Sequence, residues 1–119
     1  MSRDIFVQDI PPGLANVEDI PDDWEPSLLA FGHDDVVRAV RAAAPEGAVV
    51  VSDPEWLQVE FSGVDLEVNV SHESPLESFA IHDRSADAAA ANAFVRVLLD
   101  RLGARAFDPE SPTGLFGHG

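Results

Sequence analysis

An α+β fold is predicted: a two-layer sandwich in which two helices pack on one face of a mainly antiparallel sheet of about four to five strands. Three observations predict it. Residues 57–83 hold three short segments of period-two alternation separated by turn residues, the mark of strands wet on one face. Residues 84–105 carry apolar side chains at helical spacing. The chain has 119 residues, enough for one domain and too few for two ordinary ones.

The elements follow in order. Residues 3–10, RDIFVQDI, form a β-type run whose apolar surface comes from Ile5, Phe6, Val7 and Ile10. Residues 11–26 hold four prolines and five acids, which rules out a helix interior or a central strand and leaves an ordered loop. Leu14, Ile20 and Trp24 are its expected anchors. Residues 33–47 read as a helix, with Asp34 and Asp35 at its positive end. Its buried stripe is Val36, Val37, Val40, Ala43 and Ala44, and Pro45 and Gly47 stop it. A short strand at 48–52 leads into a DPEW turn at 53–56.

In the strand at 57–61, Leu57, Val59 and Phe61 face inward. In the next, 65–70, Leu66, Val68 and Val70 do so. In the third, 76–83, Phe79 and Ile81 are core residues, and Ala80 and His82 face away. The second helix is expected over 84–105, with Ser85 as N-cap, Ala91, Phe94, Val95, Leu98 and Leu102 buried, and Gly103 as C-terminal cap. Residues 104–109 add a short last strand. The domain is assigned to 1–112 and a partly flexible tail to 113–119, with Leu115 and Phe116 able to tuck back. Parallel pairing stays open wherever a strand follows a helix.

Composition narrows the function classes. Twenty-two acids face seven bases, all of them Arg, for a net charge of −15. Such a surface repels nucleic acid phosphates and anionic lipid heads, so no nucleic acid and no membrane partner is expected. A basic protein would be attracted. Solubility or adaptation to high salt would give a similar composition. The absence of cysteine excludes disulfides, thiolate metal sites and a cysteine nucleophile. No apolar h-region follows Met1, and no apolar run approaches a bilayer span, so a cytoplasmic location is the expectation.

No catalytic, cofactor-binding or metal-binding motif is present, and none of these roles is assigned to any residue. Paired in chain order, the three strands would gather Glu60, Glu67, Asn69 and His82 on the outer face, with Gln58 at the margin. Imidazole beside carboxylate is chemistry for proton transfer or a divalent metal. The same positions are also those that a half-buried sheet must fill with polar residues. His82 and Asp83 are adjacent in a strand and point to opposite faces. His33, His72 and His118 show no spacing that suggests a shared site. Asp19, Asp22 and Asp23 lack calcium-loop spacing. With Trp24 and Trp56 they form a candidate interaction loop, since Trp is favoured at interface hot spots.

The runs DIPDDW, SDPEW and FAIHDRS, followed by LGARAFDP and a closing Gly-Leu-Phe, resemble a family of small cytoplasmic bacterial proteins to which no activity is assigned. The resemblance covers nearly the full length and implies a self-standing bacterial domain without selecting a reaction. The expected function is a non-enzymatic interaction module for a protein partner, basic in character. In general character the chain is also similar to immunity proteins, which neutralise basic toxins by charge complementarity. A small enzyme or metal-binding protein using His82, Glu60 and Glu67 is the other alternative. Monomer and homodimer, through an edge strand or the flat outer face at Gln58, Ser78 and Ala80, are both compatible with the sequence.

Overall fold

The structure is a computed structural model that describes residues 3–11, 13–53 and 55–116. Six strands and two helices follow one another as β1 (Arg3–Gln8), α1 (His33–Ala43), β2 (Val49–Asp53), β3 (Trp56–Phe61), β4 (Val64–Asn69), β5 (Ser78–Asp83), α2 (Ala88–Leu102) and β6 (Arg105–Phe107). A single turn of 3-10 helix, Val17–Asp19, interrupts the proline-rich loop. The sheet order is β2-β3-β4-β5-β1-β6, and every pair is antiparallel. The fold is the predicted α+β sandwich, with six strands because both short flanking segments join the sheet. Among the described residues no helix is long and apolar enough to cross a membrane.

The chain lays β1 down near one edge and crosses by α1 to the far edge. It then returns through the β2–β5 meander until β5 meets β1. The core lies between the sheet and both helices. Its strand contribution is the alternation seen in the sequence: Ile5 and Val7, Leu57 and Val59, Leu66 and Val68, Phe79 and Ile81 are all buried. From the helices come Val36, Ala39 and Val40 of α1 and Ala91, Phe94, Val95, Leu98 and Leu99 of α2. Phe6 is one of the four residues expected to give this run its apolar surface, while Ile5 and Val7 are fully buried. It lies on the opposite face from its neighbours and is 41% exposed.

Helix boundaries are shorter than predicted, for local reasons. α1 ends at Ala43 because Ala44 precedes Pro45, a position that disfavours helical backbone, and Ala44 is extended at ψ 132°. At its start, the Gly32 amide donates to the Asp35 carboxylate at 3.0 Å. That bond, with Arg38 alongside and against the upward push of burial, holds the Asp35 carboxyl below the usual carboxylate range. The N-cap of α2 is Asp87, which accepts from the Ala90 amide, and not Ser85. The Ser85 hydroxyl is instead taken by β4, accepting from the Asp65 amide at 2.8 Å. Gly103 ends α2 in the left-handed conformation at φ 65°, as a C-terminal cap requires.

Two further boundaries are corrected. β5 begins at Ser78 because Leu76, though fully buried, exchanges backbone hydrogen bonds with Leu29 and Phe31 outside the sheet. The residues at 113–116, expected in the tail, belong to the packed structure. Leu115 bridges to Phe107, the Phe116 amide donates to the Ala106 carbonyl, and both side chains are buried. This segment covers the free edge of β6. At the other edge, β2 presents Val49 and Val51 as exposed apolar side chains. Pro54 of the expected DPEW turn and residues 117–119 lie outside the described residues.

Candidate functional site

Both helices occupy one face of the sheet, and the other face is read directly from the strand registers. One row of aligned positions runs Val51, Gln58, Glu67, His82, Asp4 across β2, β3, β4, β5 and β1. The adjacent row runs Trp56, Asn69, Ala80, Phe6, Phe107 across β3, β4, β5, β1 and β6. Residues two apart on a strand share a face, so these rows lie side by side, roughly 7 Å apart.

The polar row holds two of the four residues of the surface site expected from sequence, Glu67 and His82, and Asn69 lies in the aromatic row beside it. Glu67 stands directly across from His82, and Asn69 donates to Glu67 at 3.2 Å. Glu60 does not join them. It belongs to the next row, opposite Asp65, and its carboxylate accepts from Gln58 at 3.4 Å. Two strands and two residues separate it from His82, roughly 12 Å between backbones. The expected His82–Glu60–Glu67 constellation is therefore not formed, because pairing in chain order leaves β4 between β3 and β5. The nearest carboxylate was missed by sequence reasoning: Asp4, on β1, is hydrogen-bonded to His82 Nδ1. Only the insertion of β1 beside β5 brings it there, across 78 residues of chain.

The His82 and Asp4 side chains are 38% and 51% exposed. Water competes for such a pair, and exposed ion pairs contribute at most about 1 kcal/mol. His82→Ala is accordingly expected to change unfolding free energy by less than about 1 kcal/mol, checked by urea denaturation at neutral pH. A larger loss would place His82 in a role beyond a solvated pair. Among the described residues no three His, Asp or Glu side chains converge to hold a metal ion. His33 and His72, which showed no shared spacing, stack with ring centroids 4.4 Å apart where the 71–76 segment crosses the start of α1.

The aromatic row forms a groove of about 850 Å³. Its middle is low because Asn69, Ala80 and Ser78 are short. Trp56 rises at one end, and Phe6 and Phe107 rise at the other. Glu55, Glu73 and Glu77 from the adjoining turns also line it. Of the flat surface expected at Gln58, Ser78 and Ala80, the part at Ser78 and Ala80 is thus concave, and Gln58 stands in the polar row outside the groove. Arg105 lies at the same end of the sheet but is engaged elsewhere, donating to the Pro11 and Leu14 carbonyls at 3.0 and 2.9 Å.

The expected interaction loop divides. Asp19, Asp22 and Asp23 are exposed in the 11–26 segment. Trp24 is half-buried, and its indole N–H donates to the Asp9 carbonyl at 3.4 Å, pinning that segment to the end of β1. Trp56 is the first residue of β3 and belongs to the groove. A signal for the groove was available in the alternation: Phe6 and Phe107 sit between inward-facing residues, so each must face outward if its neighbours are core.

A second charged cluster sits at the opposite end of β5. Arg3 Nε donates to Asp83 at 2.8 Å and Nη1 to Asp108 at 3.0 Å, and Nη2 is bonded to Asn92 of α2. Its guanidinium also lies 5.7 Å from the Phe116 ring centroid. Burial pushes the Asp83 carboxyl up, but the Ser85 hydroxyl and amide and the Arg3 guanidinium outweigh it. The net result lies below the usual carboxylate range. The cluster ties β1, β5, α2 and the C-terminal segment together, with the Arg3, Asp83 and Asp108 side chains 17%, 7% and 6% exposed. No family model, curated protein or solved structure matches the chain, so the resemblance stated above rests on its quoted motifs.

Proposed function

We propose that this chain is a non-enzymatic interaction module that binds a basic protein on the outer face of its sheet. The observation that carries the reading is the aromatic row itself. Three large aromatic side chains lie on the sheet face opposite α1 and α2, and Phe6 is 41% exposed. Fixed aromatics on a wet sheet face lower solubility unless something covers them. Their surroundings indicate the sign of the partner. Glu67 and Asp4 line one side of the row, and Glu55, Glu73 and Glu77 line the other. The chain as a whole carries −15. Complementary charge supports this partner by steering encounter and penalising acidic competitors.

The reading is tested by immobilising the protein, loading source-cell lysate at low salt and eluting with a rising salt gradient. The basic protein recovered is then purified and titrated back. Its affinity is expected to fall at least about tenfold between ~50 and ~500 mM salt, as the Debye length drops well below 10 Å. Tight binding that ignores salt, or a recovered partner that is acidic, would overturn the reading.

A further inference from the structure

We infer that the groove over Ala80 seats an extended, arginine-bearing segment of the basic partner. The inference rests on the reading that the outer face binds such a protein, and it names the chemistry of contact. The aromatic row crosses four strand spacings from Trp56 on β3 to Phe107 on β6. That is roughly 19 Å, the reach of about six extended residues. A segment lying along the row runs across the strands and cannot add to the sheet through its backbone. Recognition therefore falls to side chains.

The groove offers those side chains two surfaces. Apolar stems find aromatic rings at both ends and the Ala80 methyl between them. Cationic heads find carboxylates on either side, Glu67 and Asp4 along one margin and Glu73 and Glu77 along the other. In an extended segment alternate side chains point to opposite sides, which sends successive charges toward the two margins. Arginine suits this pairing better than lysine. Its guanidinium is planar, weakly hydrated and stacks on aromatic faces, and an ammonium keeps its water. Arg105, at that end of the sheet, is already bound by two carbonyls and does not occupy the site. The groove volume, about 850 Å³, falls in the size range of clefts that bind ligands.

The test uses fluorescein-labelled hexa-arginine and hexa-lysine, equal in charge, titrated into the full chain at ~50 mM salt and read by anisotropy. Hexa-arginine is expected to bind about tenfold more tightly than hexa-lysine. Ala80→Trp, which fills the groove without changing charge, is expected to weaken hexa-arginine by about tenfold or more. Phe6→Ala, at an exposed position that leaves the core untouched, is expected to weaken it several-fold and decides the matter if Ala80→Trp melts early. Equal affinity for the two peptides, or undiminished hexa-arginine binding by folded Phe6→Ala, overturns the inference. Either result leaves the basic-partner reading in place if a salt-released basic protein is still recovered. Failure to recover one overturns that reading by itself, whatever the peptides do.

Discussion

Arg3→Ala is expected to cost about 3–5 kcal/mol of folding free energy at neutral pH, a large share of the roughly 5–15 kcal/mol that holds an ordinary domain together. The size follows from what the substitution leaves behind. The Asp83 and Asp108 side chains are 7% and 6% exposed and share the Arg3 guanidinium as cationic partner, each keeping in addition one backbone amide donor, from Ser85 and Glu110. Removing it strands two buried carboxylates, and the Asn92 amide oxygen loses its donor as well. The exposed Arg38–Asp35 pair one turn along α1 is the contrast: with side chains 73% and 43% exposed, it contributes little. Urea denaturation of Arg3→Ala and Arg38→Ala distinguishes the two. A loss below about 1 kcal/mol for Arg3→Ala would mean that water reaches the cluster.

The same comparison has a pH signature. The Asp83 carboxyl titrates lower in the folded chain than in the unfolded chain, where an aspartate sits near 3.9. Its contribution is therefore fully present above the unfolded value and is lost as pH falls through the folded one. Without Arg3, burial pushes the carboxyl up with only Ser85 to oppose it, so protonation relieves the variant earlier than the wild type. The stability gap between wild type and Arg3→Ala should narrow on acidification below about pH 4. A gap that stays constant to pH 3 or widens would show that Asp83 does not depend on Arg3.

Phe94→Ala is expected to cost about 3–5 kcal/mol, the usual price of emptying an aromatic site in a packed core. Phe94 is 5% exposed at the middle of α2 and faces Phe61 of β3, with ring centroids 5.5 Å apart and planes inclined at 55°. Truncation leaves a cavity and removes the aromatic pair, worth about 0.5–1.5 kcal/mol beyond burial. Phe94→Leu keeps most of the volume and should recover more than half of the loss. Chemical denaturation of both variants checks this. Near-equal losses would show that the site collapses around the missing ring, and a loss under about 1 kcal/mol would show that α2 is not seated on the sheet there.

Much of the architecture was legible locally. The β3–β5 meander follows from the alternation of Leu57, Val59, Leu66, Val68, Phe79 and Ile81, because a period of two separates faces wherever one of them is dry. Helix α2 follows from Ala91, Phe94, Val95 and Leu98 at helical spacing with Gly103 behind them. The candidate site was legible only in part. Glu67, Asn69 and His82 were placed on one face from their strand parity, and that is where they lie. Glu60 was grouped with them by the same parity, but parity does not measure distance across a sheet. Asp4, Phe6 and Phe107 were not connected to the site, since nothing in the sequence says which strands flank β5.

What the sequence determined by itself is therefore the set of elements, the inward and outward face of each, and a net charge of −15. Those properties depend on the order of neighbouring residues and on summed charge, and both are complete before the chain folds. Tertiary structure alone decided that β1 enters the sheet between β5 and β6. That one placement pairs Asp4 with His82 and sets Phe6 and Phe107 across Ala80 from Trp56. It also carries Arg3 to Asp83 and to Asp108, 105 residues away. Pairing between distant strands is chosen by the packing of the whole core, because backbone hydrogen bonding is the same for any two strands and carries no address.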